Sequence, residues 1–163
     1  TAIDRVAQAR AEVALELARF AESDLLCYFA EAPPTLLERQ QRMWNPLLDW
    51  AEDELDLLFV RASGIVYQTQ PPQTLQKVEK LALELDDFEL SGLAWASALF
   101  GSTVLGLALA RGRVSGAEAF ELSRVDEAFQ QEQWGVDEEA AERSGRMGEE
   151  ALLLERWFAA LKG

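Results

Sequence analysis

Histidine is absent from this sequence of 163 residues, and cysteine occurs once, at Cys27. Without histidine, the Ser-His-Asp and Cys-His catalytic arrangements are excluded, and the usual nitrogen ligand of zinc or iron is missing. One cysteine cannot form an internal disulfide or a thiolate zinc site, so we expect Cys27 to be a small buried apolar residue. We predict no metal, no cofactor and no enzymatic activity. A magnesium site made of carboxylates alone, such as Asp126 with Glu127, stays open as an alternative.

Positive charge is also scarce, with 15 Lys and Arg against 29 Asp and Glu, which gives a net charge of −14. Such a surface repels phosphate backbones and anionic lipid headgroups, so we predict that neither nucleic acid nor a membrane is a partner. The acidity has two explanations. It favours solubility, or it complements a basic surface on a protein partner, and charge alone does not choose between them.

Residues 90–110 contain no charged side chain and are nearly long enough to span a bilayer. Several glycine and hydroxyl side chains dilute their hydrophobicity, and positive residues flank only one end, at Arg111 and Arg113. We therefore predict one continuous helix, buried on all sides in a bundle. Small residues recur in it at every fourth position and should let a neighbouring helix approach closely: Ala94, Ala98, Ser102, Gly106 and Ala110.

Amphipathic spacing predicts further helices. They cover residues 3–21, 35–58, 74–85 and 116–133, and a last one begins near residue 137. Thr74 is expected to cap one of them, Ser115 should form a capping box with Glu118, and Pro46 should bend or restart the second. Asp86 and Asp87 supply acidic groups for the start of the apolar helix.

Two short β-favouring runs, at residues 57–60 and 65–67, predict a hairpin or an extended connection that lies against helices. No linker or repeat divides the chain. The predicted fold class is mainly α, a helical bundle with one short β-hairpin or extended ribbon, and residues 1–163 form a single domain.

Several stretches resemble one known family. The run from Leu122 to Gly135, Leu-Ser-Arg-Val-Asp-Glu-Ala-Phe-Gln-Gln-Glu-Gln-Trp-Gly, followed by acidic residues, is similar to the carboxyl-terminal signature of the ATP synthase α-subunit assembly chaperones. Three further stretches agree with it: residues 1–5, residues 44–50 with Trp44 and Trp50, and Gly101-Ser102 followed by Gly106-Leu-Ala-Leu.

This resemblance implies a protein that binds the free α subunit of F₁-ATPase, shields it from aggregation and releases it when the β subunit arrives. It implies the bacterial cytoplasm or the mitochondrial matrix as the location, and we expect a monomer. The family's amino-terminal β-rich domain is missing from this chain. The alternative is an acidic helical adaptor with an unrelated protein partner.

Glu132 and Trp134 are the first candidates for contact with the partner, because a carboxylate at a helix end can accept hydrogen bonds while the indole packs beside it. Asp126 and Glu127 are secondary candidates. The alternative is that Glu132 pairs with an arginine of its own chain and Trp134 closes the bundle. The remaining motif residues are predicted to be structural: Gly135 as a helix C-cap, Trp44 and Trp50 as core anchors, and Gly101 and Gly106 in the apolar helix.

Overall fold

The computed structural model describes residues 2–64 and 67–162. Within these ranges the chain is mainly α, which confirms the predicted class. The helices are α1 (Ala2–Glu22), α2 (Pro34–Leu55), α3 (Pro72–Leu83), α4 (Asp87–Phe100), α5 (Thr103–Ala110), α6 (Gly116–Ser123), α7 (Val125–Trp134) and α8 (Glu138–Leu161). Two short strands, β1 (Tyr28–Phe29) and β2 (Ala62–Ser63), and a 3-10 turn at Leu25–Cys27 complete the described elements.

The apolar stretch 90–110 forms two helices, so the prediction of one continuous helix was wrong. Gly101 ends α4 with a φ of 67°, in the left-handed region that glycine adopts without strain. Ser102 then caps α5, because its hydroxyl accepts a hydrogen bond from the N–H of Leu105. The predicted close approach occurs within this hairpin, since a Cβ at Gly106 would lie 2.8 Å from Oγ of Ser97 in α4.

A buried carboxylate explains where this break falls. Asp24 follows α1 and is 0% exposed. It accepts hydrogen bonds from the hydroxyl of Ser102 (2.6 Å) and from the N–H groups of Val104 (3.0 Å) and Leu26 (3.1 Å). Burial raises the pKa of Asp24 to about 6, although these hydrogen bonds act in the opposite direction. Asp24 therefore fixes the first turn of α5 against the end of α1.

The α4–α5 hairpin lies at the centre of the fold. All seven residues from Thr103 to Leu109 are buried, which accounts for the absence of charge in this stretch. The remaining helices pack around it: α1 contacts α3, α4 and α5, α2 contacts α5, and α8 contacts α4, α5 and α6. Cys27 is buried as predicted, and burial raises the pKa of its thiol well above the usual value. No helix in the described ranges combines the length and the hydropathy needed to cross a bilayer.

Several predicted helix boundaries differ from the structure. The second helix neither stops nor restarts at Pro46 and runs without interruption from Pro34 to Leu55. Thr74 is not a cap, since α3 begins at Pro72 and the Thr74 hydroxyl instead donates to the carbonyl of Leu58 (2.5 Å). Prolines at the first helical position replace the expected cap in both helices.

The helix predicted over residues 116–133 is divided into α6 and α7. Arg124 interrupts it with φ −114° and ψ 16°, outside the helical region. The capping predictions are confirmed, because Ser115 with Glu118 and Asp86 with Glu89 each form a reciprocal capping box.

The predicted hairpin was wrong, and the predicted extended connection is correct for its first half. Residues 57–60 have no regular structure, and residues 65 and 66 lie outside the described ranges. The strand partner comes from an earlier part of the chain. Tyr28 pairs with Ala62 and Phe29 with Ser63 in parallel, and the N–H of Gly64 donates to the carbonyl of Phe29 (2.9 Å). A pairing between such distant segments leaves no local turn signal.

The raised pKa of Asp24 predicts an unusual pH dependence of stability. Because the folded pKa of about 6 exceeds the ordinary value, the stabilisation from protonated Asp24 is fully present below about pH 4 and is lost as the pH rises through about 6. We expect the free energy of unfolding of the wild type, minus that of Asp24→Asn, to fall by about 3 kcal/mol between these limits. Urea denaturation at a series of pH values measures it. The same substitution at exposed Asp53 is the control, and a difference that does not change with pH would contradict the prediction.

Candidate functional site

An ion pair joins α2 to the carboxyl-terminal half of α7. Both terminal nitrogens of Arg39 donate to the two carboxylate oxygens of Glu132, at 2.9 Å and 2.8 Å. The guanidinium also lies over the ring of Phe129, 5.4 Å from its centroid. The hydrogen bond from Arg39 lowers the pKa of Glu132, and the same bond raises the pKa of Arg39. Glu132 therefore has an internal partner, as one of the two sequence-based interpretations predicted.

Two deeper contacts tie the same helix of α2 to the chain around the α6–α7 break. The amide of buried Gln40 donates to Oδ1 of Asp126 (2.7 Å), at the start of α7. One turn further along α2, the indole N–H of Trp44 donates to the carbonyl of Leu122 (2.8 Å). Trp44 is 0% exposed, which confirms it as a core residue. Trp50 is half-buried and packs against the core. These contacts hold α7 in a fixed position on α2.

The end of α7 presents an apolar corner to solvent. Trp134 is 87% exposed and Val136 is 62% exposed. Gly135 between them ends the helix with a φ of 86°, and its N–H donates to the carbonyl of Gln131 (2.9 Å), so its prediction as a C-cap is confirmed. Trp134 does not close the bundle, because a side chain with this exposure contributes little to the core. A neighbouring pair of exposed apolar side chains is typical of an interaction surface.

The amino-terminal half of α8 stands away from the core. The buried residues of α8 are Ala151, Leu154 and Phe158, all in its second half. Its first turns are exposed or half-buried. Arg124 reaches across to them, because its Nη2 donates to Oγ of Ser144 (2.6 Å). This separation leaves an open space beside α7.

Two adjoining pockets occupy that space, and we call them together the α7 cleft. The first, of about 440 Å³, lies between α2, the α6–α7 segment and α8. The second, of about 380 Å³, continues between α7 and the start of α8 and ends at Trp134. Arg124 and Gln131 line both pockets. The apolar lining consists of Met43, Phe120, Val125 and Ala128, and the basic lining consists of Arg39, Arg42, Arg124 and Arg143.

This arrangement is suited to holding a polypeptide segment. Its lining has the mixture of apolar and charged side chains that is found in protein interfaces, with a tryptophan at one end. Among the residues that the structure describes, no cluster of three or more acidic or sulfur side chains could hold a metal ion. The cleft offers contact surface and arginine hydrogen-bond donors.

The four predicted contact residues all lie on α7, and the structure places them differently. Glu127 and Trp134 line the α7 cleft. Asp126 and Glu132 face α2, where each accepts a hydrogen bond. Sequence analysis missed the basic and apolar residues that α2, α6 and α8 contribute to the cleft. The adjacent pair Arg42-Met43 on α2 was a weak signal, because its position opposite α7 depends on tertiary packing.

The two tryptophans predict opposite effects of one substitution. Trp44→Ala removes a fully buried side chain and its hydrogen bond, so we expect a loss of about 3–5 kcal/mol in the free energy of unfolding. Trp134→Ala removes an exposed side chain and should change that free energy by less than about 0.5 kcal/mol. Urea denaturation of both variants beside the wild type measures the contrast. Equal destabilisation would show that Trp134 packs into the fold.

Comparison with known proteins agrees with this architecture. A family model for the ATP12 chaperone protein matches residues 1–52. The mitochondrial protein atp12 of Schizosaccharomyces pombe is 23% identical over 133 residues, which are 78% of this chain and 46% of that protein. The chain thus spans less than half the length of this relative.

Solved structures extend the similarity to nearly the whole chain. The crystal structure of Atp12 from Paracoccus denitrificans matches with a TM-score of 0.90 and 39% identity, and covers 97% of this chain and 68% of that one. A protein from Agrobacterium tumefaciens matches with a TM-score of 0.81 and 36% identity, over 97% of this chain and 59% of that one. With this identity over two thirds of a solved relative and the same helical architecture, the chain belongs to the ATP12 chaperone family.

Proposed function

We propose that this protein is an assembly chaperone of ATP synthase that binds the unassembled α subunit of the F₁ sector, prevents its aggregation and releases it to the β subunit. Family membership supports this proposal. The structural observation that carries it is the exposed Trp134 at the end of the α7 cleft, since a chaperone for a soluble subunit needs an accessible apolar surface. The protein would act as a monomer, in the bacterial cytoplasm or in the mitochondrial matrix.

The physical requirements of such a chaperone match this surface. An unassembled subunit exposes an apolar interface that its neighbours later cover, and the chaperone must cover it for a limited time. A small contact area with one aromatic anchor and a polar rim gives an affinity low enough for release. The rigid attachment of α7 to α2 presents Trp134 in one orientation, which limits the entropy lost on binding.

The proposed contact residues are Trp134 as the apolar anchor, Glu127 on the cleft, and Glu132 and Asp126 beside α2. Glu132 and Asp126 each retain a role in the fold through Arg39 and Gln40. Binding is the whole of the proposed activity, and no ATP hydrolysis is expected.

Co-purification tests the partner and the anchor together. We expect the full-length protein to retain the isolated α subunit and not the β subunit. Trp134→Ala should weaken binding of α by at least about tenfold, as for an interface hot spot. Leu153→Ala, at another exposed apolar residue on α8, is the matched control and should bind normally. A different dominant protein in the eluate, with no α subunit, would contradict the proposal and favour an adaptor with another partner.

A charge exchange separates the two roles of Glu132. We expect Glu132→Lys to weaken binding of the α subunit and to change the free energy of unfolding by less than about 1 kcal/mol, because the pair with Arg39 is largely exposed. The double variant Arg39→Glu with Glu132→Arg restores an internal ion pair but not the carboxylate at residue 132. If Glu132 contacts the client, this variant stays impaired. Full recovery of binding would instead assign Glu132 a role in positioning α7.

A further inference from the structure

The lining of the larger pocket has the opposite charge balance to the rest of the chain. The protein carries a net charge of −14. The charged residues that line this pocket are Arg39, Arg42, Arg124 and Glu121, so cations outnumber anions there. A solvated acidic surface does not require such a group of guanidinium groups beside an apolar floor. A binding site for a negatively charged segment does.

The three arginines differ in how far they are already engaged. Arg39 is held by Glu132, and Arg124 donates to Ser144 with Glu127 3.9 Å away. Arg42 is exposed and has no hydrogen-bond or ion-pair partner among the described residues. Its guanidinium can therefore donate both parallel N–H groups to an incoming carboxylate, which is the strongest pairing that arginine makes with a protein ligand.

The floor and the size of the pocket define the rest of the ligand. Met43 follows Arg42 on α2 and lines the same pocket, opposite Val125 and Ala128. A volume of about 440 Å³ accommodates a few side chains, and methionine adapts to different apolar shapes. The occupant is therefore a short segment with apolar residues for the floor and a carboxylate for Arg42.

We propose that the α7 cleft binds a segment of the client in which apolar side chains alternate with Asp or Glu, with a side-chain carboxylate of that segment paired to Arg42. This inference rests on the proposed chaperone function and adds the chemistry of the bound segment. It reverses, for this site, the expectation that the acidic chain attracts a basic surface of its partner.

Site-directed photo-crosslinking identifies the bound segment. A photoreactive residue replaces exposed Ala128 in the cleft of the full-length protein, and exposed Ala159 on α8 serves as the control position. With the isolated α subunit, we expect crosslinks from residue 128, but not from residue 159, to a segment that contains large apolar residues and at least two carboxylates. Crosslinks to a segment rich in Lys and Arg would overturn the inference. So would the absence of crosslinks from residue 128 while the α subunit is bound.

Charge reversal at Arg42 tests the pairing itself. We expect Arg42→Glu to weaken binding of the α subunit by at least about tenfold, and Arg42→Met, which keeps an apolar side chain of similar length, to weaken it less. Arg111→Glu makes the same change in net charge away from the cleft and should bind as the wild type does. If the wild type retains the α subunit and Arg42→Glu retains it equally, this inference fails while the proposed function stands. If the wild type does not retain the α subunit at all, both fail.

Discussion

Asp24 places a carboxylate in the interior, between the end of α1 and the start of α5, where water does not reach it. A buried charge of this kind is tolerated only if donors surround it, and Ser102, Val104 and Leu26 supply them. These donors coincide only when α5 begins at Ser102. The charge-free stretch 90–110 must therefore fold back as a hairpin and cannot continue as one helix. The packing of the other helices around this hairpin follows from that turn.

The α7 cleft results from an uneven attachment of the last two helices. α8 is fixed to the core through Ala151, Leu154 and Phe158, while its first turns extend from it. α7 is instead tied to α2 at the positions of Arg39 and Gln40. Because the two helices have separate supports, the space between them does not need to close. A surface built at the edge of a stable core can bind a client and release it without unfolding the rest of the protein.

The sequence predicted what depends on neighbouring residues and missed what depends on distant ones. Periodic apolar residues located the helical segments, and the capping boxes at Asp86 and Ser115 were found because they are local patterns. The break before α5 was missed because its cause, Asp24, lies 78 residues from Ser102. The parallel pairing of β1 with β2 was missed for the same reason. The family signature directed attention to α7, but the arginines opposite it come from α2 and were found only in the folded chain.

Hydrogen–deuterium exchange of the complex tests most directly whether the α7 cleft is the surface that holds the client. The full-length protein is compared with and without a saturating amount of the isolated α subunit, and peptides from all helices are followed. The account predicts slower exchange in α7 and in the first turns of α8, with no change in α3, which lies outside the cleft. Slower exchange confined to α3 and the neighbouring face of α1, with α7 unaffected, would contradict it.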